Sequence, residues 1–212
     1  MTPTVAALRR EAADCRRCPL WKLGTQTVFG EGRTAGLMLV GEQPGDVEDR
    51  EGRPFVGPAG RLLRQLLAEA QIAEETVYLT NAVKHFKWRP KGKRRIHDKP
   101  SWSEIRACSP WLDLELAAVR PQLVMCLGAT AAQLLVGRDA RVGALRGHPL
   151  EIRDSLPALV SIHPSAVLRA GEDRDARRAE LLEDLELAHE LLARRGNAAA
   201  LNSRQPDTSR TS

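Results

Sequence analysis

The sequence predicts an α/β fold in three layers, in which a central, mostly parallel β-sheet is flanked by helices on both faces. Two observations predict this fold. Short apolar runs of strand length recur along the chain, and each is bounded by glycine, proline or polar residues. Segments with apolar residues at helical spacing lie between these runs. Strands that alternate with helices are typical of parallel sheets that are covered on both faces.

The predicted elements follow one another in a regular order. The predicted strands are continuous apolar runs, as expected of strands buried on both faces: residues 37–40, 77–83, 123–127 and 158–162. The predicted helices lie before, between and after them: residues 4–14, 62–70, 101–119, 129–136 and 175–195. Ser101 and Glu104 have the spacing of a capping box, which indicates the start of the third helix.

Length and composition predict one globular domain. The chain has 212 residues, of which 42% are hydrophobic and 28% are charged, and one core can span that length. We expect this domain over residues 1–195 and a disordered tail over 196–212, because the tail has no periodic apolar face. No apolar run reaches the roughly 20 residues of a membrane span, and the N-terminal residues lack the apolar core of a signal peptide. We therefore expect a cytoplasmic protein without membrane contact.

Polar residues follow several predicted strands at the points where these strands end. Glu42 and Gln43 come directly after the first strand, Asn81 lies near the end of the second, and His163 and Ser165 follow the fourth. In open α/β sheets, ligands bind beyond the carboxyl ends of the strands. We expect these side chains to share one rim of the sheet and to form a binding site there.

A basic segment follows the second predicted strand. The whole chain has a net charge of +5, but the segment from Lys84 to Lys99 alone contains eight basic residues and one acidic residue. A cationic patch confined to one loop is expected of a protein that binds a polyanion such as a nucleic acid. The alternative is an ordinary solvated surface loop.

The cysteines indicate a metal or redox site. Cys15 and Cys18 form a C-x-x-C pair, whereas Cys108 and Cys126 lie far away in the sequence. Disulfides are rare in a reducing compartment. The pair follows a predicted helix, while a thioredoxin-like redox pair follows a strand and opens a helix. From the residues alone, zinc and an iron–sulfur cluster are equally compatible with this pattern.

Four motifs occur along the chain in a fixed order: GEQPG at 41–45, GRPFVGPAG at 52–60, TNAVK at 80–84, and HPS at 163–165 followed by Leu168 and Arg169. Together they resemble the uracil-DNA glycosylase superfamily, and in particular its iron–sulfur branch, family 4. The resemblance covers roughly residues 7–193. It implies a soluble repair enzyme that acts on uracil-containing DNA, single- or double-stranded, and we expect a monomer.

Two departures from the family 4 pattern resemble the UdgX branch, whose members excise uracil and then become covalently attached to the DNA. His85 stands where family 4 has a cysteine, and the stretch KRRIH at 93–97 is an addition to the basic segment. Gln43 in the first motif is a further UdgX-like feature. The alternatives are a family 4 glycosylase with ordinary turnover and a non-catalytic iron–sulfur module that binds DNA.

The resemblance implies a [4Fe–4S] cluster with a structural role. The cluster ligands of family 4 map onto Cys15, Cys18, His85 and Cys108. Cys126 is then left as a small residue of a buried strand. Three thiolates and one imidazole also suit zinc, which stays the alternative.

The resemblance also implies a pocket for a flipped uracil base. A duplex hides the edges of uracil, so the nucleotide has to leave the stack. We expect Phe55 to stack on the ring, Gln43 to contact the base, and Asn81 to read its O4 and N3 edge. His163 is expected to donate a hydrogen bond to O2, where negative charge grows as the glycosidic bond breaks.

His97 is the nucleophile that the UdgX resemblance implies. Loss of uracil leaves an electrophilic C1′, which a nearby imidazole nitrogen can attack before water does. Glu42 is expected to orient this imidazole and to offset the positive charge on it. For the DNA contacts we expect one group of residues on the motifs and the basic segment: Lys84, Lys93, Arg94, Arg95, Ser165 and Arg169. Lys84, Arg94 and Arg95 each have a second interpretation, which is to position the loop.

Overall fold

The described part of the chain contains eight strands and eight helices. A computed structural model describes residues 2–33 and 36–202. Its strands are β1 (Glu31–Gly32), β2 (Leu37–Gly41), β3 (Val77–Asn81), β4 (Trp88–Lys91), β5 (Arg94–His97), β6 (Leu123–Leu127), β7 (Leu150–Ile152) and β8 (Leu156–Ser161). Its helices are α1 (Val5–Ala12), α2 (Asp46–Glu51), α3 (Pro58–Glu69), α4 (Trp102–Val119), α5 (Ala129–Leu135), α6 (Val142–Leu145), α7 (Pro164–Leu168) and α8 (Arg174–Asn202).

Six of these strands form one sheet in the order β1-β3-β2-β6-β8-β7. The four central strands are parallel, whereas β1 and β7 pair antiparallel at the two edges. The predicted α/β fold with a mostly parallel sheet is therefore confirmed. All four predicted strands are present, and the sequence did not reveal the two short edge strands.

Both faces of the sheet are covered, because successive side chains of each strand point to opposite sides. On β2, Leu37 and Leu39 pack into a core with α3 and α8. Met38 and Val40 pack into a second core with α4 and α5. The continuous apolar runs of the sequence follow from this double coverage.

The capping box predicted for the third helix is present at the start of α4. Ser101 Oγ accepts a hydrogen bond from the main-chain N–H of Glu104, and the Glu104 carboxylate accepts one from the N–H of Ser101. This reciprocal pair satisfies two N–H groups that the first turn of a helix leaves free. Helix α4 thereby begins directly after the basic segment.

The basic segment forms a β-hairpin, where the sequence analysis predicted a loop. Strands β4 and β5 pair antiparallel, with Trp88 opposite His97 and Lys91 opposite Arg94. Gly92 has a φ of 58° in the connecting turn, a conformation that glycine adopts without steric cost. The charged side chains conceal the period of a strand, which is why the sequence pattern did not predict the hairpin.

The C-terminal helix is longer than the sequence predicted. Helix α8 ends at Asn202, whereas the sequence analysis placed its end at Arg195. Three alanines at 198–200 favour continuation of the helix, because alanine has the highest helix propensity. The predicted disordered tail, residues 196–212, also includes residues 203–212, which lie outside the described part of the chain. No helix within the described residues is both long and apolar enough to cross a membrane.

Candidate active site

A pocket of about 670 Å³ opens at the carboxyl ends of the parallel strands. This is the rim at which the sequence analysis expected a ligand. The residues predicted for base binding and catalysis all contribute to its wall: Glu42, Gln43, Phe55, Asn81, His97 and His163. Ser165 and Arg169 lie on the same wall. The structure thus brings together residues that are far apart in the sequence.

Three of these side chains converge on Gly41, the last residue of β2. A Cβ atom built on Gly41 would overlap Asn81 Oδ1, and it would lie 2.8 Å from Phe55 Cζ and 3.4 Å from His163 Nε2. The approaches to Asn81 and Phe55 are closer than van der Waals contact. Glycine is therefore required here because the pocket side chains occupy the space that any other side chain would need.

His163 is held as a neutral imidazole. Burial lowers its pKa from 6.5 to about 4, against an opposing effect of the Glu42 carboxylate. The main-chain N–H of Ser165 donates to His163 Nδ1 at 3.1 Å, and Ser165 Oγ lies 2.8 Å from the same nitrogen. A main-chain N–H can only donate, so Nδ1 is the acceptor and the ring proton is on Nε2. Nε2 is therefore a hydrogen-bond donor at the pocket wall.

Phe55 lies in the pocket in a strained backbone conformation. Its φ is 56°, in the left-handed region that non-glycine residues rarely adopt. Arg64 donates a hydrogen bond to the main-chain oxygen of Phe55 and helps to hold this conformation. The Phe55 ring is stacked near that of His163, with ring centroids 6.1 Å apart and an interplanar angle of 27°. Strain of this kind is typical of functional sites.

Asn81 ends strand β3 and is buried, with 3% of its surface exposed. It lies opposite Gly41 in the register of β2 and β3. Its side-chain amide borders the pocket, and no hydrogen bond between described residues involves this amide. The amide has both a donor and an acceptor, so it can bind a ligand edge that carries one of each.

His97 and Glu42 are in contact on the pocket wall. His97 Nε2 lies 3.2 Å from Glu42 Oε1, and Thr130 donates a hydrogen bond to the other carboxylate oxygen. Burial alone would raise the pKa of Glu42, but the hydrogen bonds from His97 and Thr130 outweigh it and lower this pKa. The carboxylate is therefore ionised at neutral pH. The His97 side chain is 49% exposed, so a large substrate can reach it.

Gln43 anchors the hairpin and does not present its amide to the pocket. Its Nε2 donates to the main-chain oxygens of Lys87 and Asp98, at 3.1 and 3.0 Å. Its Oε1 accepts from the main-chain N–H of Lys87 at 3.0 Å. Both amide hydrogens are thus used at the base of the hairpin. The prediction that Gln43 contacts the base is corrected for its side chain, whereas a contact through its main chain stays a prediction because Gln43 lines the pocket.

Arg95 ties the same hairpin to helix α2. Its Nε lies 2.5 Å from Asp46 Oδ1, and its Nη1 lies 2.7 Å from Asp49 Oδ2. The two carboxylates occupy the guanidinium group, which is largely buried. Of the two interpretations given for Arg95, loop positioning fits this geometry and phosphate binding does not.

Of the two interpretations given for Lys84, the structure contradicts phosphate binding, because the side chain is buried. The residue is fully buried, and its Nζ lies 2.5 Å from Glu115 Oε2. Its position at the start of the basic segment suggests a surface role that the fold does not allow. The burial of Phe86 and His85 beside it shows that the exposed part of the segment begins later in the sequence.

The remaining cations of the segment are fewer than the sequence suggested. Lys87 is paired with Glu104 at 3.0 Å. Lys91, Lys93 and Arg94 at the tip of the hairpin are exposed, and within the described residues they form no ion pair. Arg89 and Lys99 of the same segment, and Arg169 at the pocket, are also exposed and form no ion pair within the described residues, so they too are available to phosphates.

Ser165 contributes to the orientation of His163 more directly than to DNA binding. Both its main-chain N–H and its hydroxyl contact His163 Nδ1, as described above. Ser165 is predicted from the sequence to contact DNA, but its main-chain N–H already has a partner in His163. This is a further correction, because the local turn after Pro164 could not be read from the sequence.

Three of the predicted cluster ligands lie together in one apolar region. Cys15, Cys18 and Cys108 pack in a core formed by α1, α4 and the segment between α1 and β1. Trp111 Nε1 donates to Cys15 Sγ at 3.2 Å, and the main-chain N–H of Lys84 donates to Cys108 Sγ at 3.2 Å. Burial raises the pKa of Cys18, and it raises that of Cys108 to about 11. The Cys18 and Cys108 thiols are therefore protonated at neutral pH, and a bound positive group would be needed to ionise them.

His85, the fourth predicted ligand, is buried at the edge of this region. Its Nε2 lies 3.0 Å from Thr27 Oγ1, and Thr27 in turn donates to the main-chain oxygen of Ala13. Within the described residues, no group of three or more His, Cys, Asp or Glu side chains is arranged around one ion. Cys126 lies apart in the second core and is fully buried, as expected of a core residue.

Two functional positions were missed by the sequence analysis. Thr130 lies near the start of α5 and holds the Glu42 carboxylate, and Gly41 provides the space in which the pocket side chains meet. The glycine at the end of an apolar run was a usable signal, because it directly precedes Glu42. Nothing in the sequence around Thr130 distinguishes it from an ordinary helix residue.

The fold and the pocket are those of an α/β protein that binds its ligand at the carboxyl edge of a parallel sheet. A family model described as the uracil DNA glycosylase superfamily matches residues 29–186. The chain therefore belongs to the uracil-DNA glycosylase superfamily. The match spans the sheet, the pocket and the hairpin.

Several curated relatives are similar over most of their length. The chain is 37% identical over 184 residues to a type-4 uracil-DNA glycosylase of Thermotoga maritima, which corresponds to 86% of this chain and 91% of that protein. It is 36% identical over 167 residues to the type-4 enzyme of Archaeoglobus fulgidus, or 75% and 80% of the two chains. A type-5 uracil-DNA glycosylase of Thermus thermophilus is 31% identical over 155 residues, or 64% and 66%.

Proposed function

We propose that the protein is a uracil-DNA glycosylase that excises uracil and then forms a covalent bond between His97 and C1′ of the deoxyribose. The observation that carries this proposal is the contact between His97 and Glu42 on the wall of the pocket that also holds Asn81 and His163. One pocket thus contains groups for base recognition, for leaving-group stabilisation and for nucleophilic attack. The similarity to type-4 uracil-DNA glycosylases supports base recognition and leaving-group stabilisation.

Recognition of the base uses the pocket as an extended stacking and hydrogen-bonding surface. Uracil presents a flat ring, two carbonyl acceptors and an N3–H donor. Phe55 offers an aromatic face, and the free amide of Asn81 offers one donor and one acceptor for the O4 and N3 edge. A base can reach these groups only after it has been flipped out of the stack.

Departure of uracil is helped by His163. As the bond between C1′ and N1 breaks, its electron pair moves to the base and negative charge develops at O2. The Nε2–H of neutral His163 is a fixed donor for this oxygen, since Nδ1 is held by Ser165. Preorganised donors of this kind are among the largest contributions to catalysis.

Attack by His97 completes the reaction. A lone pair of the imidazole forms the new bond to C1′, and the ring becomes positively charged. The ionised Glu42 carboxylate, 3.2 Å from Nε2, offsets this charge, and Thr130 fixes its second oxygen. The product is stable, so each protein molecule acts once. Ordinary turnover by water is the rival outcome.

The partner in this proposal is uracil-containing DNA, bound by a monomer. Lys93 and Arg94, with Lys91, give the exposed tip of the hairpin a positive charge, and the hairpin also carries His97. Arg169 adds a cation at the pocket. Phosphate contacts at these places would align the strand with the nucleophile.

A [4Fe–4S] cluster is proposed for Cys15, Cys18, Cys108 and His85. Three thiolates and one imidazole also suit zinc, which stays the alternative, and within the described residues no group of three or more such side chains is preassembled for either metal. A cluster contains its own sulfides and accepts protein ligands that lie further apart, and N–H donors to its sulfurs are common. His85 would exchange Thr27 for iron. The cluster would link α1 to α4 and take no part in the excision steps.

A denaturing gel tests the proposed reaction. The protein is added to an oligonucleotide with a single uracil, and wild type is expected to give a heat-stable band of lower mobility. In His97→Ala the nucleophile is gone while His163 and Asn81 remain, so water can reach C1′. This variant is expected to lose the band and to produce an alkali-labile abasic strand.

Each other outcome of the gel contradicts a defined part of the proposal. An abasic strand without a band from wild type indicates a turnover glycosylase, and unchanged DNA indicates a binding module. An undiminished adduct in His97→Ala would assign the bond to another residue. Peptide mapping of the digested adduct by mass spectrometry identifies that residue directly. Glu42→Gln serves as the comparison, because it should slow adduct formation without diverting it to water.

A further inference from the structure

A buried ion pair lies against the main chain of Asn81. Lys84 Nζ is 2.5 Å from Glu115 Oε2, 2.6 Å from Thr80 Oγ1 and 2.7 Å from the main-chain oxygen of Asn81. The Lys84 and Glu115 side chains are 1% and 0% exposed. An ammonium group has three hydrogens, and each of them has an acceptor here.

The Glu115 carboxylate is equally well occupied. It accepts hydrogen bonds from Tyr78 Oη, Thr80 Oγ1 and the main-chain N–H of Gly30, in addition to Lys84. Burial raises the pKa of Tyr78, so its hydroxyl stays protonated and donates. Every polar atom of the Tyr78, Thr80, Lys84 and Glu115 side chains has a partner within this network. The network therefore has one defined arrangement.

Stability alone does not explain this pair. Removing two charges from water is costly, and apolar residues of similar volume often replace a buried pair without loss of stability. Such a pair can instead fix the orientation of neighbouring groups, because its hydrogen bonds hold them in one position. Here Lys84 holds the peptide group of Asn81, and Asn81 is a residue of the pocket.

The hydrogen bond from Lys84 Nζ to the main-chain oxygen of Asn81 closes a short loop of the chain after β3. Beyond β3, the N–H groups of Ala82 and Val83 donate to the main-chain oxygens of Gly41 and Glu42, at 2.9 and 3.0 Å. Lys84 then returns its Nζ to the oxygen of Asn81. Residues 81–84 thus form a short closed loop, and the direction of the Asn81 side chain depends on how this loop is held.

We propose that Lys84 and Glu115 are a positioning pair for Asn81. Lys84 fixes the Asn81 peptide, and Glu115 fixes Lys84 from helix α4. The inference rests on the proposed function, in which Asn81 reads the edge of uracil. Lys84 is a positioning residue, because it is buried behind Asn81 and acts through it.

Single-turnover kinetics on a uracil oligonucleotide test this role. In Lys84→Met we expect excision at saturating protein to be about ten- to hundredfold slower, since small displacements of a positioned group have effects of this size. Affinity for undamaged DNA should be unchanged. Tyr78→Phe is the matched control, because it removes a hydrogen bond from the same carboxylate and leaves the Lys84 contact with Asn81. It should keep the wild-type rate even if its melting temperature falls.

A double-mutant cycle distinguishes positioning from a general effect on the fold. If Lys84 acts through Asn81, then Lys84→Met should slow an Asn81→Ala protein by less than about twofold, because the positioned amide is already absent. Fully multiplicative effects of the two substitutions would overturn the proposal. A wild-type rate in Lys84→Met would also overturn it.

A second variant guards against loss of folding. Lys84→Met leaves the Glu115 charge unpaired, whereas Lys84→Met combined with Glu115→Leu removes both charges together. The double variant should fold, as shown by circular dichroism and an unchanged iron content, and should remain as slow as Lys84→Met. A folded double variant with the wild-type rate refutes the positioning role. Wild-type protein that leaves uracil-DNA intact refutes the proposed function instead.

Discussion

His163 shows how one residue can be prepared for an anionic leaving group without carrying a charge. Burial holds its pKa at about 4, and Ser165 fixes the acceptor nitrogen. The remaining N–H points at the pocket before any substrate arrives, so no reorganisation is needed as charge develops. The proton also stays on the protein, because the interaction requires a hydrogen bond and no proton transfer.

Substitution of His163 by alanine should slow excision about 10²- to 10³-fold, the loss typical for a donor to a developing anion. Affinity for undamaged DNA should remain, because His163 contacts only the flipped base. Single-turnover rates and fluorescence anisotropy measure the two quantities. Ser165→Ala is the comparison, and its effect should be smaller because the main-chain N–H still orients the ring. A parallel loss of affinity for undamaged DNA would indicate damage to the fold instead.

The low pKa of His163 also predicts how stability depends on pH. The pKa of His163 is about 4 in the folded protein, compared with 6.5 for an unperturbed histidine such as that of the unfolded chain. Between these values the unfolded chain binds a proton that the folded protein excludes. The free energy of unfolding should therefore fall as the pH is lowered from 6.5 towards 4, by at most about 3 kcal/mol from this residue.

Urea denaturation at pH 7 and pH 4.5 measures this contribution. His163→Asn lacks the titrating group, so its stability should decline less over the same interval than that of wild type. Equal declines in both proteins would mean that other groups account for the acid sensitivity. Glu42 is not expected to dominate this interval, because its pKa is lowered and it stays ionised over most of it.

Single residues also show where sequence reasoning fails. The strand ends, which can be read from apolar patterns, correctly placed Asn81 and His163 at one rim, and the UdgX resemblance implied that His97 belongs with them; all three line one pocket. Gln43 and Lys84 lie in the same motifs but face the hairpin base and Glu115. Which partner a polar side chain selects depends on tertiary contacts, and residue type does not reveal this choice.

At the scale of elements, the hairpin β4–β5 carries His97, the proposed nucleophile. Gln43 binds the main chain at its base, and Arg95 joins it to two carboxylates of α2. The hairpin tip carries the exposed cations. DNA binding and placement of His97 are thus assigned to different side chains of one element.

This division of roles predicts two different effects on salt dependence. Replacing Lys91, Lys93 and Arg94 by glutamine should reduce the slope of log affinity against log salt, by about 0.7–0.9 for each phosphate that the protein no longer neutralises. Lys87→Gln should leave the slope unchanged, because Lys87 is already paired with Glu104. Titrations of labelled DNA at several salt concentrations measure the slope.

Two outcomes would contradict the assignment of charge to the hairpin tip. An unchanged slope in the triple variant would place the phosphate contacts elsewhere, with the other exposed cations Arg89, Lys99 and Arg169 as the next candidates. A reduced slope in Lys87→Gln would mean that the ion pair with Glu104 opens on DNA binding. Arg95→Gln should act differently from both, since it is expected to slow adduct formation more than it changes the slope.

The elements differ in how far the sequence predicted them. The four central strands are apolar on both faces and were predicted almost to the residue, as was the capped start of α4. Helix α2 and the hairpin were not predicted. Helix α2 is short and mostly charged, and the hairpin is solvated on its exposed side, so neither has an apolar period. Both are held by the ion pairs of Arg95, which become visible only in the folded protein.

At the scale of the whole molecule, the proposed cluster on the three cysteines and His85 would connect parts that the sheet does not join. Helix α1 and the segment after it pack against α4 and against the chain that follows β3. Apart from the short strand β1, this N-terminal region makes no strand of the sheet within the described residues. A cluster at this place would fix the region by covalent bonds to iron, so its removal should loosen the N-terminal region before the sheet.

The purified protein should accordingly be brown and contain about four irons, as expected for a [4Fe–4S] cluster. His85→Cys should retain the cluster, since a thiolate is the usual ligand, whereas Cys108→Ala should lose iron and lower the melting temperature.

Cys126→Ala is the matched control, because Cys126 is buried in the other core and this variant should keep its full iron content. Iron and zinc analysis, visible absorbance and thermal melting measure these effects. A colourless protein with stoichiometric zinc, or loss of iron in Cys126→Ala equal to that in Cys108→Ala, would show that the proposed ligand set is wrong.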